Sequence, residues 1–184
     1  MNEIAMRLAK KLFDRPLIQN QFRSVFIEAM IEPYLAPDGW RYVGDDWKGW
    51  DFECGTRLED RLEVKQSAAH QTWSEADNLK TRGIFDIRAR KGYYSGSRFT
   101  PMPGRCAGTY VFAWNPVYGA DTDHRDPNQW EFYVISASTL PEGQRTIGIS
   151  KIRRLANSVK IAELAAKCRV VPLEISVVPV GPDS

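Results

Sequence analysis

Two short runs decide how this chain folds: Trp50-Asp51-Phe52-Glu53-Cys54 and, after a turn holding Gly55 and Asp60, Arg61-Leu62-Glu63-Val64-Lys65-Gln66. Successive side chains on a strand alternate between faces, so Glu63 and Lys65 point one way while Leu62 and Val64 point the other. A hairpin joining the two runs brings Asp51 alongside Glu63. Two carboxylates and a lysine on one sheet face cost stability unless something uses them. A divalent metal and a phosphate are groups that would.

Upstream of these runs, 2–14 reads as a short amphipathic helix ended by Arg15-Pro16. A stronger helix spans 17–35. Ile18, Phe22, Val25, Phe26, Ala29 and Met30 make its apolar stripe, with Glu28 at the border and Glu32 nearly inside it. Strands are expected at 40–43, 48–54 and 61–67, and a short helix at 73–80. Further strands follow at 84–90, 109–114 and 130–136. Continuous apolarity makes 109–114 a central strand. Gly, Pro and Ser make 91–105 an irregular exposed stretch, and 115–129 a second loop with Asp121, Asp123, His124 and Asp126. The acidic loop lacks the glycine and closing glutamate of a calcium loop, so a solvated loop is expected. A last helix is expected at 159–168, then a β-prone tail at 170–180. This order predicts an α/β fold with a mixed central β-sheet flanked by helices, in one domain over 1–184 with an N-terminal helical segment at 1–35.

The length of 184 residues suits one full core, and 43% hydrophobic with 26% charged residues is ordinary for a globular protein. A net charge of +2 means that any nucleic-acid surface is a local patch. Cys54, Cys106 and Cys168 form neither a zinc motif nor a disulfide framework, which fits a reduced, cytoplasmic location. No run predicts a secretory signal or a membrane span. His70 and His124 are the only histidines, and no nucleophilic triad can be built from them. His70 reads as a loop residue near the two runs. Arg88, Arg90, Lys91, Arg98 and Arg105, interleaved with Tyr93, Tyr94 and Phe99, suit phosphate contacts with base stacking, or equally a solvated loop.

Asp51, an eleven-residue gap and Glu63-Val64-Lys65 resemble the signature of the PD-(D/E)XK, or restriction-endonuclease-like, nuclease superfamily. The likeness extends to Asn20, Arg23 and Glu28 on the preceding helix, to Trp47-x-x-Trp50-Asp51, and to Gln66-Ser67-Ala68 followed by Gln71-Thr72-Trp73. It covers 17–90. The resemblance implies a restriction-endonuclease-like core and a Mg²⁺-dependent (or Mn²⁺-dependent) endonuclease that hydrolyses DNA phosphodiester bonds with activated water. It implies metal ligation by Asp51, Glu63, Glu28 and the Val64 carbonyl, a catalytic Lys65, and DNA contacts from Gln66 and Gln71. Arg88, Arg90, Lys91 and Arg98 join them as the expected nucleic-acid surface. Cutting both strands with one site per chain favours a homodimer. The sequence departs from the pattern in having Trp50, not proline, before Asp51, and Glu53 and Glu32 are rival acids. The other reading is a catalytically inactive nuclease-like domain that binds nucleic acid or a partner protein.

Overall fold

The structure is a computed structural model and describes residues 2–44, 47–74 and 80–169. Residues 45–46 between the first two expected strands, most of the expected helix at 73–80 and the tail at 170–180 lie outside the described residues. Among the described residues no helix is long and apolar enough to cross a membrane.

Helix α1 (Glu3–Phe13) starts at Asn2, whose side-chain oxygen accepts from the Ala5 N–H at 2.8 Å. Helix α2 (Asn20–Leu35) runs through Pro33 and ends in a 3₁₀ turn that Gly39 closes with a φ of 85°. Strands β1 (Arg41–Tyr42), β2 (Phe52–Glu53) and β3 (Arg61–Ala68) form an antiparallel meander. The chain crosses over through β4 (Ile84–Asp86), β5 (Arg90–Ser95) and β6 (Arg98–Gly104). It returns as β7 (Thr109–Asn115), parallel to β3, and then β8 (Glu131–Ser136), antiparallel to β7. Strand β9 (Thr146–Gly148) and helices α3 (Ile149–Leu155) and α4 (Leu164–Arg169) complete the described chain. The main sheet has the order β1-β2-β3-β7-β8, while β4 pairs with β9 and β5 with β6 in two separate ribbons.

Every residue of β7 is buried, as its unbroken apolarity requires of a strand covered on both faces. On one face Val111 and Ala113 meet Leu62, Val64, Phe52 and the α2 residues Ile27, Ile31 and Leu35, with Leu164 and Cys168 of α4 closing the layer. On the other, Tyr110, Phe112 and Trp114 pack with Phe85, Ile87, Ile147 and Ile152 from the β4–β9 ribbon and α3. Each fully buried Leu, Ile or Phe contributes on the order of 1.5–3 kcal/mol. The chain is therefore mixed α/β, with a mixed central sheet flanked by helices.

Four expectations change. The buried face of α2 is Arg23, Ile27, Glu28, Ile31 and Leu35, whereas Val25 and Ala29 are exposed and Phe26 is half covered by the Phe13 ring at 5.4 Å. The helix has turned toward polar partners on β3 that the stripe alone does not reveal. The stretch 91–105 is a β-hairpin: Ser95 pairs with Arg98 across a tight turn in which Gly96 has a φ of 55°. Val159 bridges to Phe132, so the last helical stretch begins only at Ile161.

The fourth change is His124, which is wholly buried. Its Nδ1 accepts from the Ile18 N–H at 3.0 Å, its Nε2 donates to the His70 carbonyl at 3.1 Å, and its backbone N–H reaches the Pro16 carbonyl at 2.8 Å. One neutral ring thus ties the α1–α2 link and the end of β3 to the loop at 115–129. His70, also buried, holds the same loop through Gly119 and Thr122. Burial, reinforced by the Arg23 charge, pushes the His124 pKa down from 6.5 to about 4. A depressed folded pKa lends stability that is complete above the unfolded value and lost as pH falls through the folded one. Stability should drop by about 3 kcal/mol from this residue between pH 6.5 and 4. Urea unfolding of His124→Gln should show a lower midpoint at pH 7 and a shallower acid loss than the natural chain; equal acid slopes would refute the assignment.

Candidate active site

The hairpin register pairs Phe52 with Leu62 and Glu53 with Arg61, which sets Asp51 across from Glu63. Glu63 and Lys65 neighbour Tyr110 and Phe112 on β7, and so face away from α2, while Leu62 and Val64 point into the α2 layer. Strand β2 begins only at Phe52, leaving the Val64 N–H beyond its end without a ladder partner. The Asp51 carboxylate takes that place: Oδ2 accepts from the Val64 N–H at 2.6 Å. In a strand the N–H and C=O of one residue point to the same side, so the Val64 carbonyl opens toward Asp51 as well.

Glu63 is only 4% exposed. Its Oε1 receives the Lys65 ammonium and, at 3.5 Å, the Arg90 guanidinium, while Oε2 accepts no hydrogen bond among the described residues. Glu28 is buried at the edge of the α2 layer, where its Oε2 accepts from the Tyr42 hydroxyl at 3.0 Å. These charges converge on Asp51. Burial first, then repulsion from Glu63 and Glu28, raise its pKa well above the ordinary carboxylate range, against the Val64 hydrogen bond and the Lys65 charge. The four expected catalytic residues, Asp51, Glu63, Lys65 and Glu28, are thus brought into one electrostatic unit.

The rival acids are placed elsewhere. Glu32 is exposed. Glu53 is held by Arg41, by Lys48 and by the Trp50 indole N–H at 3.0 Å. Burial works to raise its pKa, but the bonds from Trp50 and Lys48 and the charges of Lys48 and Arg41 outweigh it and hold the group low.

Gln66, half-buried, and Gln71, buried, both turn their amide oxygens to Arg23. Gln66 Oε1 accepts from Arg23 Nε at 2.6 Å and Gln71 Oε1 from Arg23 Nη1 at 2.9 Å, with Asn20 completing the set at 2.8 Å. Arg23 is wholly buried, and burial lowers its pKa to about 10. Arg23 belongs to the stretch that carries the resemblance but has no role in it; the three amide residues at 20, 66 and 71 are the sequence signal for its burial. Arg88 is exposed and paired with Asp86, Arg90 reaches Glu63, and Lys91 and Arg98 are exposed on the β5–β6 ribbon. Arg105 instead binds the carbonyls of Ile87, Ala137, Leu140 and Pro141.

Among the described residues no three His, Cys, Asp or Glu side chains gather into a group that could hold a metal ion. The donors around Asp51 nevertheless suit Mg²⁺, which keeps several waters and takes only one or two carboxylates from a protein. Asp51, Glu63 and the Val64 carbonyl are the residues that could hold it. Comparison with protein-family models, with curated proteins and with solved structures gave no match.

Because the folded pKa of Asp51 lies above its unfolded value of 3.8, its ionisation favours unfolding. The stability it lends is complete below pH 3.8 and lost as pH rises through the folded value. Asp51→Asn keeps an oxygen for the Val64 N–H and removes the charge. Without divalent ions at pH 7.5 its Tm should exceed that of the natural chain, by roughly 2–4 °C for each kcal/mol of repulsion removed. A lower Tm would mean that the carboxylates do not repel.

Proposed function

We propose that this protein is a metal-dependent nuclease that hydrolyses DNA phosphodiester bonds with activated water. The observation that carries the reading is the meeting of Asp51 and Glu63 across the β2–β3 register, with Glu28 raising the proton affinity of Asp51 from α2 and Lys65 on the same face. The order of the strands, a meander followed by a crossover to a parallel neighbour, supports a restriction-endonuclease-like core.

In this reading Asp51 and Glu63 hold Mg²⁺ or Mn²⁺ with the Val64 carbonyl. The ion, when bound, acidifies water and offsets charge on the phosphoryl oxygens. Lys65 releases Glu63 and turns its ammonium to the attacking water and the phosphoryl oxygens, where negative charge grows during attack. Glu28, expected as a further ligand, accepts from the Tyr42 hydroxyl and acts on Asp51 through its charge, which favours a cation. Attack by water leaves a 5′-phosphate and a 3′-hydroxyl. With one site per chain, a homodimer is expected only where both strands of a duplex are cut.

A second reading, a silent nuclease-like domain that binds nucleic acid or a partner protein, is favoured by one observation: Glu63 already carries two cationic partners. Two measurements separate the readings. Purified protein with Mg²⁺ or Mn²⁺ should nick or cut DNA, and Lys65→Ala should reduce the rate at least 100-fold with an unchanged circular-dichroism spectrum. Undiminished cutting by that variant would overturn the mechanism. Calorimetric titration with Mn²⁺ should show binding that Asp51→Asn abolishes; no heat from the natural chain would favour the silent domain.

A further inference from the structure

The β5–β6 ribbon stands outside the main sheet, and its two faces differ in kind. The inward face is anchored. Tyr93 packs edge-on to Trp50 at 4.8 Å, Arg61 lies 4.0 Å over the Trp50 ring, and its Nη1 meets the Met102 sulfur at 3.5 Å. The outward face carries the cross-strand pair Tyr94 and Phe99, rings 5.3 Å apart and 46% and 44% exposed. Gly92 keeps this face flat. A Cβ there would stand 2.2 Å from the Thr100 carbonyl oxygen and 2.8 Å from the Phe99 ring. Trp47 adjoins the ribbon through its carbonyl, which accepts from the Tyr94 N–H at 3.4 Å. It is 85% exposed and sits at a φ of 55°, a left-handed backbone that a bulky residue rarely adopts.

Three water-exposed rings therefore share one edge of the molecule. No acidic residue occurs from Arg88 to Arg105, and Lys91 and Arg98 make no ion pair among the described residues. At the root of the ribbon Arg90 touches Glu63. We propose that the outward face of this ribbon, with Trp47, is a stacking platform for single-stranded nucleic acid leading to the carboxylate site. The charge is complementary to a phosphate backbone, and rings flanked by cations take up bases without reading sequence. A duplex keeps its base faces stacked on one another, so the rings gain little from it. The proposal rests on the nuclease reading only for what the strand is delivered to.

The test is fluorescence anisotropy in EDTA with a labelled 20-nucleotide single strand, as DNA and as RNA, and the matching duplex. At least one single strand should bind about tenfold or more tighter than the duplex. Tyr94→Ala with Phe99→Ala should weaken it by at least about tenfold, Tyr94→Trp with Phe99→Trp should restore it, and the duplex should change less than about twofold. Duplex bound as tightly as either strand, a ring-free variant that binds like the natural chain, or no binding of any nucleic acid would overturn the proposal, the last result turning the rings toward a protein partner. Chelation removes cleavage from the readout, so failure here leaves the Lys65 experiment standing, and failure of that experiment leaves this one.

Discussion

The site depends on a backbone hydrogen bond that β2 is too short to make. Where β2 ends, Val64 in the middle of β3 still presents an N–H, and the side chain of Asp51 accepts it. That bond fixes the carboxylate against the sheet edge, directly across from Glu63. The sheet could have been continued by one more residue pair, and Asp51 would then be an ordinary member of a ladder. Its side chain is used as a backbone surrogate instead, and the strand ends where the charges begin. The repulsion between Asp51, Glu63 and Glu28 persists because larger forces hold each one in place: the apolar layer under Phe52 and Leu62, and the α2 face built on Ile27, Ile31 and Leu35.

Local periodicity was enough to read the hairpin. Period-two alternation placed Glu63 with Lys65, Gly55 and Asp60 marked the turn, and the register followed. The same rule found β7 and β8, whose apolar content leaves no second interpretation. It failed where a tertiary partner overrides the local pattern. On α2, Val25 and Phe26 look more like core than Arg23 and Glu28. Yet Arg23 is buried because Gln66 and Gln71 lie more than forty residues away to receive it, and nothing near Arg23 in the chain reports them. The β5–β6 ribbon was hidden by Gly92, Gly96, Pro101 and Pro103, which read as loop residues. Here they make a bulge and a tight turn in a ribbon outside the main sheet. His124 was masked by three neighbouring aspartates, which suggest solvent while the ring points inward.

The charges of the molecule are segregated by how they are solvated. Glu53 is neutralised by Arg41 and Lys48, and Asp123 by Arg125, so these acids are spent on structure. Arg23 is treated differently. It is the most deeply buried cation described, and its hydrogen bonds go to three neutral amides. Amide oxygens satisfy a guanidinium at about 1.5–3 kcal/mol per bond without contributing negative charge. A carboxylate in the place of Gln66 or Gln71 would pair with Arg23 more strongly.

That stronger pair would defeat the arrangement. Glu28 lies five residues beyond Arg23 on the same helix, roughly 7.5 Å along the axis. A further acid beside Arg23 would leave one more carboxylate close to a group that is already repelled, while a direct Arg23–Glu28 pair would cancel the charge that acts on Asp51. Solvating the arginine with amides avoids both. The positive charge is buried for structure, the negative charge is kept for the sheet edge, and the helix carries Arg23 at the start of its buried face and Glu28 near the middle. In the proposed reading, the acids at the sheet edge, offset in part by Lys65 and Arg90, are complemented by a small cation with an anion attached to it, and a metal-bound phosphate is such a pair.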